Sequence, residues 1–425
     1  MIDEEWRYFA PGGALMPGGP STWYILDWDQ RRIIAVTMDE EQESEDVAIK
    51  YLHRHIDTLG PDVYAIHLSQ DGELVSVSTS PEDDETSCVY YPPLQTIQDR
   101  LSGRVKTVLR SDLVELDRLS PNVDLVSYTL CANPTNTKIV FKYYFLIQFL
   151  HKLWHEMNLW IRLPQHPNIV PFDRLVLDEI HGHIVGFTSL YISGGTISEN
   201  KSRMFKLKWL HQLICVIDDL NLRYGIAHQD VAARNLLVSP KTDAIMLFDF
   251  NYSGRIGGIG YDKDRNDVKG VIFTLYEIIT RDTHFRDIPY GQQNPIDLER
   301  LEWVQHPDVK LDHSVLEYRS VLNQWVKRRE GKQVSIHTEA PEYIDWPEFP
   351  KPPAREQVFL DMCGNPTTVK GVVMVDMRRD VREQGIKVLN WERPAQNKLW
   401  NGNHVLANGE WVCNTERTGS DVPNS

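Results

Sequence analysis

The chain has 425 residues, which leaves room for two or three domains and a substantial buried core. Its 41% hydrophobic and 25% charged residues are typical of a soluble globular protein. The formal net charge of −15 argues against a nucleic acid or an anionic membrane surface as a partner.

The cysteines and the N-terminus bear on the cellular compartment. The cysteines are too scattered for a disulfide framework or a zinc site; they are Cys88, Cys131, Cys215, Cys363 and Cys413. The chain starts without the basic and apolar segments of a signal peptide, and no apolar run approaches the roughly 18 residues of a membrane span. We therefore expect a cytoplasmic protein without a membrane partner, with the nucleus left open.

The first 105 residues predict a small α+β extension. Its expected elements, in chain order, are strands at 22–27 and 32–38, a helix that Ser44 caps and Gly60 ends, and a hairpin of 63–69 with 73–78.

The pattern changes after residue 105, where strands come first and helices follow. The expected elements are strands at 113–116, 124–130 and 138–145, a helix at 149–160, an extended segment at 188–192, and a helix with its apolar face at 207–220. A proline-rich connector at 346–353 leads to a tail with a strand at 371–377 and three tryptophans, Trp391, Trp400 and Trp411.

Residues 228–249 carry the most specific chemistry of the chain. Asp230 and Asn235 have the spacing D-x-x-x-x-N, and Asp249 follows in a D-F-x turn. Phosphoryl transfer from a magnesium nucleotide needs a carboxylate that orients the attacking hydroxyl and oxygen ligands that hold the metal between the phosphates. Together the two motifs resemble the catalytic loop and metal-binding turn of eukaryotic protein kinases, including divergent kinase-like proteins of fungi.

The resemblance implies an α+β, two-lobed protein kinase-like fold with a β-rich N-lobe and a helical C-lobe. The implied organisation is an N-terminal extension at 1–105, a kinase-like domain at 106–345 (N-lobe 106–188, hinge 189–195, C-lobe 196–345), and a C-terminal tail at 346–425.

The resemblance also implies ATP and Mg²⁺ as cofactors and assigns the catalytic positions. Asp230 would accept the proton of the substrate hydroxyl, and Asn235 and Asp249 would hold the metal. Arg234, in an Ala-Ala-Arg-Asn ending that resembles tyrosine kinases, would neutralise the transferring phosphate.

Further positions match the parts that hold the nucleotide in this family. Lys142 lies 88 residues before Asp230, a separation typical of the phosphate-anchoring lysine, and its expected partner is Glu156. The backbones of Leu190 and Ile192 would bind the adenine edge beside the gatekeeper Ser189, and Leu237 would pack under the base.

Three further residues are predicted to be structural. Lys50 completes a Val-Ala-Ile-Lys spelling of the kinase lysine motif, but it falls in the predicted helix of the extension and is expected on its surface. His166 is expected in a turn. Asp267 matches the aspartate that accepts backbone donors of the catalytic loop, so we expect it to be buried.

Four departures from the kinase pattern bear on activity. Residues 119–123 hold no glycine where the phosphate loop is expected, which predicts weak nucleotide affinity. Asn251 replaces the glycine of D-F-G, where we expect it to tolerate a left-handed backbone. Gln229 replaces the arginine that receives an activation-loop phosphate, and only 18 residues separate Asp249 from Asp267. The short segment leaves little room for a peptide-docking platform.

Three functions remain open at this stage. The first is a protein kinase acting on a Ser, Thr or Tyr hydroxyl of a protein substrate. The second is a pseudokinase that acts as a nucleotide-binding or scaffold module. The third is a small-molecule kinase of the aminoglycoside or choline type. The N-terminal extension and the tryptophan-rich tail favour a protein partner in each case.

Overall fold

The structure is a computed structural model that describes residues 2–99, 101, 103, 105–128, 137–360, 365–399 and 403–412. Cys131, Cys363, Cys413, Trp400 and the last two residues of the strand expected at 124–130 lie outside this part of the chain. Cys88 and Cys215 are free thiols. Within the described residues, no helix combines the length and apolarity that crossing a membrane requires.

The expected mixed α+β class is confirmed. The strands are β1 (Tyr8–Leu15), β2 (Ser21–Asp27), β3 (Arg32–Met38), β4 (Ala65–Leu68), β5 (Leu74–Ser78), β6 (Ser87–Val89), β7 (Thr107–Leu109), β8 (Leu113–Ser120), β9 (Val123–Tyr128), β10 (Lys138–Tyr143), β11 (Phe172–Leu177), β12 (Ile184–Leu190), β13 (Ile226–Ala227), β14 (Leu236–Ser239), β15 (Ala244–Leu247), β16 (Gly254–Arg255), β17 (Arg355–Leu360), β18 (Pro366–Gly371), β19 (Val375–Met377), β20 (His404–Val405) and β21 (Trp411–Val412). The α-helices are α1 (Glu4–Arg7), α2 (Asp46–His55), α3 (Gln95–Gln98), α4 (Ile147–Arg162), α5 (Leu207–Asp218), α6 (Asp267–Thr280), α7 (Pro295–Arg300), α8 (Val315–Arg329) and α9 (Arg378–Glu383).

Contacts between Cα atoms divide the chain into two compact units. Unit 1 comprises Met1–Leu150, Asp173–Ser189 and Pro350–Ser425, and unit 2 comprises His151–Phe172 and Leu190–Phe349. The domain boundaries given by the sequence stay a prediction.

Unit 1 contains a five-stranded sheet of order β1-β2-β3-β4-β5. The predicted hairpin is present as the antiparallel pair β4–β5, and α2 connects the parallel strands β3 and β4. Ala48 and Leu52 of α2 are buried in a core with residues of β3 and β4, whereas Lys50 is exposed, as predicted. The helix starts after Glu45 rather than at Ser44, because Ser44 binds Asp46 within the preceding turn.

A second sheet of unit 1 has the order β7-β11-β12-β10-β9-β8. Strands β8, β9 and β10 match the predicted ones with shifted ends, whereas β7 was not expected. The segment expected at 188–192 is the end of β12, which begins at Ile184. The single strand expected at 371–377 was wrong: the chain is not a strand between Gly371, where β18 ends, and Val375, where β19 starts. Both strands pair with partners elsewhere, β18 with β17 and β19 with β6.

A buried network of charges holds the C-terminal residues inside unit 1. The guanidinium of Arg393 binds Glu115 at 2.7 Å and Asp124 at 2.8 Å, and it also donates to the backbone oxygens of Asp29 and Trp28. These partners lie on β8, on β9 and in the turn after β2. Because each charge is removed from water, every member needs its partners to remain in place.

We expect Arg393→Met to destabilise unit 1 by about 3–5 kcal/mol, because two buried carboxylates lose their shared cation. Chemical denaturation followed by tryptophan fluorescence measures this change. Arg54→Met is the control, since Arg54 is exposed in α2 and its loss should cost no more than about 0.5 kcal/mol. Equal effects of the two changes would contradict the structural role of the network.

Unit 2 is mainly helical. Its core is formed by buried residues of α5, α6 and α8, among them Trp209, Leu213, Ile217, Val271, Phe273, Ile279, Tyr318, Leu322 and Trp325. The spacing of these residues at three and four positions creates one apolar face on each helix.

Residues 344–349, which we call the strap, pack against α4 within unit 2. The indole of Trp346 donates to Nδ1 of His155 at 2.8 Å, and the indole of Trp154 donates to the carbonyl of Pro347 at 2.9 Å. Phe349 packs edge-on against Trp154, with ring centroids 5.4 Å apart. The connector expected at this point is therefore partly a packed segment.

The strap should loosen below neutral pH. Burial lowers the pKa of His155 although Glu348 opposes the shift, so the unfolded chain takes up this proton at a higher pH than the folded chain. Stability from this contact is therefore complete above about pH 6.5 and falls as the pH drops below that value. Hydrogen exchange of residues 344–349, corrected for intrinsic rates, should be faster at about pH 5.5 than at about pH 7.5.

His155→Gln is the control for this experiment, because a glutamine oxygen can still accept from Trp346 but does not titrate. The same pH dependence in this variant would show that His155 is not responsible.

Candidate functional site

The antiparallel hairpin of β14 and β15 brings the two predicted motifs together. Leu236 pairs with Leu247, so the residue before β14 meets the residues after β15. The amide of Phe248 donates to the carbonyl of Asn235 at 3.3 Å. Asn235 and the turn that carries Asp249 are therefore neighbours in unit 2.

Asp230 is the centre of a hydrogen-bonded cluster. Nδ2 of Asn235 donates to Oδ2 of Asp230 at 2.7 Å and to its backbone oxygen at 2.8 Å, and Arg234 donates to Oδ1 at 2.6 Å. Asp230 and Asn235 are buried, whereas more than half of the Arg234 side chain is exposed. Burial opposes the charge of Arg234, but the Asp230 carboxylate raises the pKa of its guanidinium. The cluster fixes the orientation of the carboxylate.

Asp267 holds the backbone at the start of the same loop, as predicted. Its carboxylate accepts the amide of His228 at 2.8 Å and that of Gln229 at 2.7 Å, and Nδ2 of Asn221 donates to it at 2.7 Å. Asp267 is 3% exposed and lies in the first turn of α6, where the helix dipole favours a negative charge. These bonds satisfy two buried amides that the loop itself leaves without partners.

Aromatic packing around Phe250 supports the turn that contains Asp249. Phe250 is buried between His228, at a ring distance of 5.1 Å, and Trp160 of α4, at 5.3 Å. Glu156, the predicted partner of a phosphate-anchoring lysine, is 1% exposed and precedes Trp160 by four residues on the same face of α4. The packing of Phe250 thus connects the turn to the helix that carries Glu156.

The backbone strain of this turn is at Asp249, not at Asn251. Asp249 has φ 64 and ψ 70, in the left-handed region that costs a residue with a Cβ about 1–2 kcal/mol. Asn251 lies in the 3₁₀ turn Phe250–Tyr252 and has no positive φ. Asn251 therefore does not use the tolerance for left-handed backbone that was expected to make it acceptable in place of glycine. The left-handed residue comes two positions earlier, at Asp249, so no glycine is required at residue 251.

Gln229 has a role that the sequence analysis missed. Its Nε2 donates to the carbonyls of Tyr252 at 2.6 Å and Gly260 at 3.0 Å, and its Oε1 accepts the amide of Asp262. The side chain therefore binds both ends of the short segment between Asp249 and Asp267 without any charge. From the sequence, Gln229 showed only that the usual arginine is missing. Its partners are backbone atoms, which leave no mark in the residue types of the segment.

The remaining predicted residues are distributed over both units. Lys142 lies near the end of β10 in unit 1, where Gly186 leaves room for its carbonyl: a Cβ at Gly186 would lie 2.2 Å from that oxygen. Ser189 is buried at the end of β12 in unit 1. The roles of these two residues stay predictions.

The other predicted nucleotide-contacting residues belong to unit 2. The amide of Leu190 donates to the carbonyl of Pro171, and Ile192 is half-buried. Leu237 is half-buried in β14 and bridges to Thr196. The backbone after the predicted hinge lies so close to β14 that a Cβ at Gly194 would overlap the carbonyl of Val238, at 1.8 Å. Glycine is required there for steric reasons, whatever the function.

His166 is placed in a turn, as expected. Its Nδ1 accepts the amide of Asn168 at 3.0 Å, and its Nε2 lies 3.2 Å from a carboxylate oxygen of Asp219.

Asn235 and Asp249 offer oxygen atoms of the kind that a divalent metal binds. Because Nδ2 of Asn235 is directed at Asp230, the opposite atom of the carboxamide, Oδ1, is the one that a metal would take. The Asp249 carboxylate is a second oxygen donor of the type that Mg²⁺ prefers.

The comparisons with known proteins give a distant structural likeness. No protein-family model and no curated protein matches the chain. Among solved structures, it is similar to the kinase PK-1 of Cydia pomonella granulovirus. The two are 17% identical, the match covers 54% of this chain and 93% of the viral chain, and the TM-score is 0.37. At so low a TM-score the likeness carries no argument about this chain.

We expect Gln229→Ala to release the segment between Asp249 and Asp267. The change removes three hydrogen bonds to backbone atoms and should cost about 1–3 kcal/mol. Amide exchange of residues 252–262 should become at least about tenfold faster, while α5 and α8 stay protected.

Gln293→Ala is the matched control. Gln293 also lies in unit 2 and uses its amide on two backbone carbonyls, of Phe285 and Ile288. Faster exchange of residues 252–262 in both variants would mean that Gln229 has no specific hold on the segment.

Proposed function

We propose that this protein is an ATP-dependent phosphotransferase of the protein kinase type, which transfers the γ-phosphate to a Ser, Thr or Tyr hydroxyl. The observation that carries the proposal is the hydrogen-bonded arrangement of Asp230, Arg234 and Asn235 in a loop that Asp267 holds by its backbone. Such a loop positions a carboxylate, a cation and an amide oxygen together, which is what phosphoryl transfer uses.

Each residue has a proposed role. Asp230 orients the substrate hydroxyl and takes up its proton at a carboxylate oxygen. Arg234, exposed and held by Asp230, supplies positive charge at the transferring group. Asn235 and Asp249 hold Mg²⁺, which when bound neutralises charge on the phosphates. Lys142, with Glu156 as its partner, anchors the phosphates. Ser189, Leu190, Ile192 and Leu237 surround the base.

The bonds of Gln229 support activity that does not depend on phosphorylation of the activation segment. In the usual arrangement a phosphate orders this segment by binding a cluster of arginines. Here an uncharged side chain already binds three backbone groups of the segment. The segment is too short to offer a docking platform, so we propose that a protein substrate is held by another surface of the chain.

The turn between β8 and β9 favours a second candidate, a pseudokinase that acts as a nucleotide-binding or scaffold module. A phosphate loop uses backbone amides that glycines allow to approach the ligand. In this turn Pro121 has no amide hydrogen, and Asn122 carries a Cβ at φ 54. The loop therefore has fewer amides to offer to a phosphate, which predicts weak binding of ATP.

We expect Asp249→Asn to abolish magnesium-dependent binding of ATP, because it removes the charge that faces the metal. Thermal denaturation of the full chain with Mg²⁺ and ATP is the measurement. A nucleotide at 100 times its Kd should stabilise the wild type by about 2.7 kcal/mol. Lys50→Ala is the control, since Lys50 is exposed on α2 and should leave this stabilisation unchanged.

Transfer assays separate the candidate functions. Binding of ATP together with phosphorylation of a protein in a cell lysate supports the proposal, and binding without any transfer favours the pseudokinase. Transfer to aminoglycosides or choline alone would support a small-molecule kinase. If Lys50→Ala lost ATP binding while Asp249→Asn retained it, the assignment of the site would be wrong.

A further inference from the structure

Unit 1 has an open cavity that no step of the proposed phosphotransfer uses. Its volume is about 410 Å³, within the range of about 300–1,000 Å³ that is usual for small-molecule sites. Apolar and aromatic side chains form much of the wall, among them Val89, Tyr91, Phe145, Met374, Leu389 and Trp391. The cavity is thus built like a ligand pocket, and its buried polar groups without partners define what it can bind.

Arg31 is the most unusual of these polar groups. It lines the cavity and is 1% exposed, yet none of its three guanidinium nitrogens has a hydrogen-bond partner. Its nearest carboxylate oxygen, on Asp124, lies 3.8 Å away, too far for a hydrogen bond, and is already bound by Arg393 at 2.8 Å. A buried cation with unused donors is costly unless an anion completes it.

Aromatic rings keep Arg31 in place. The guanidinium carbon lies 5.2 Å from the ring centre of Tyr143 and 5.6 Å from that of Trp391. Burial and the nearby Arg393 lower the pKa of Arg31 to about 10, so the side chain still carries its charge at neutral pH. The planar guanidinium can therefore present two parallel N–H donors, the geometry that suits a carboxylate.

Two further residues that line the cavity have a buried oxygen without a partner. They are Thr86, through Oγ1, and Glu392, through Oε2. The other carboxylate oxygen of Glu392 is bound by Arg378. The remaining acceptor on Glu392 requires a donor on the ligand, such as an ammonium group. The cavity thus combines a cation, an acceptor and an apolar wall.

Asp178, Arg378 and Cys88, which also line the cavity, are already occupied by protein contacts or are unreactive. Asp178 accepts the amides of Ile180, His181 and His183, which makes it a turn residue. Arg378 binds both carboxylate oxygens of Asp84. Burial raises the pKa of the Cys88 thiol to about 11, which leaves it protonated and unreactive at neutral pH.

We propose that this cavity binds a small amino-carboxylate with an apolar or aromatic body. Its carboxylate pairs with Arg31, its ammonium donates to Glu392, Thr86 supplies a hydroxyl, and its body lies against Trp391 and Tyr91. The proposal is independent of the phosphotransfer function, because none of these residues has a role in the proposed transfer.

Isothermal titration of the full-length protein with three probes tests the proposal. Phenylalanine has both polar groups, 3-phenylpropionate lacks the ammonium, and phenethylamine lacks the carboxylate. We expect phenylalanine to bind at least about tenfold more tightly than either of the other two, since each lost charged hydrogen bond is worth about 1.5–3 kcal/mol. No binding of any probe, or equal binding of all three, would overturn the proposal.

Variants identify the groups responsible. Arg31→Met should weaken phenylalanine by about 10–100-fold and leave phenethylamine unchanged, and Glu392→Gln should weaken phenylalanine but not 3-phenylpropionate. Thr86→Val preserves the shape of the wall and should reduce affinity even if Arg31→Met fails to fold. Arg54→Met is the control, because Arg54 is exposed outside the cavity. An unchanged affinity in folded Thr86→Val and Glu392→Gln would overturn the assignment.

Discussion

The carboxylate of Asp267 is the constraint on which the candidate site depends. It takes the amides of His228 and Gln229, and Gln229 adopts a left-handed backbone with φ 62 at that point. This bend places Asp230 beside Asn235 and turns the Gln229 side chain toward the segment after Asp249. Without two acceptors at this position the loop would bury unpaired amides, and the geometry of the cluster would lose its support.

Unit 1 depends on a different kind of constraint, the burial of paired charges. Arg393 reaches Glu115, Asp124 and the turn after β2, so residues far apart in the chain share one network. Arg31 lies at its edge and is the member without a hydrogen bond. Burial makes the loss of a partner costly for Arg393, and for the same reason the unused donors of Arg31 support the proposal that a ligand binds there.

The chemistry of the chain points in two directions. The loop at 228–235 holds the carboxylate and the amide of the proposed transfer, and Asp267 of α6 binds its backbone. The turn after β8, in contrast, has a proline and an asparagine where the proposed phosphate loop would need glycines. The short segment is tied down by Gln229 rather than by a charge. An enzyme with these features would work with a weak hold on its nucleotide and with its substrate held by another surface.

Local pattern alone determined most of the elements and drew attention to the loop at 228–235. Alternation and apolar spacing predicted β2, β3, the β4–β5 hairpin and α5 with small errors at their ends, and the resemblance of residues 267–280 to the kinase helix predicted the burial of Asp267. The tertiary structure decided what depends on distant partners. The packing of the strap on α4, the bonds of Gln229 and the network of Arg393 join residues whose separation along the chain leaves no periodic signal. It also placed the bend at Asp249 instead of Asn251, because the choice of a strained residue follows from packing around Phe250 and not from the residue's own preference.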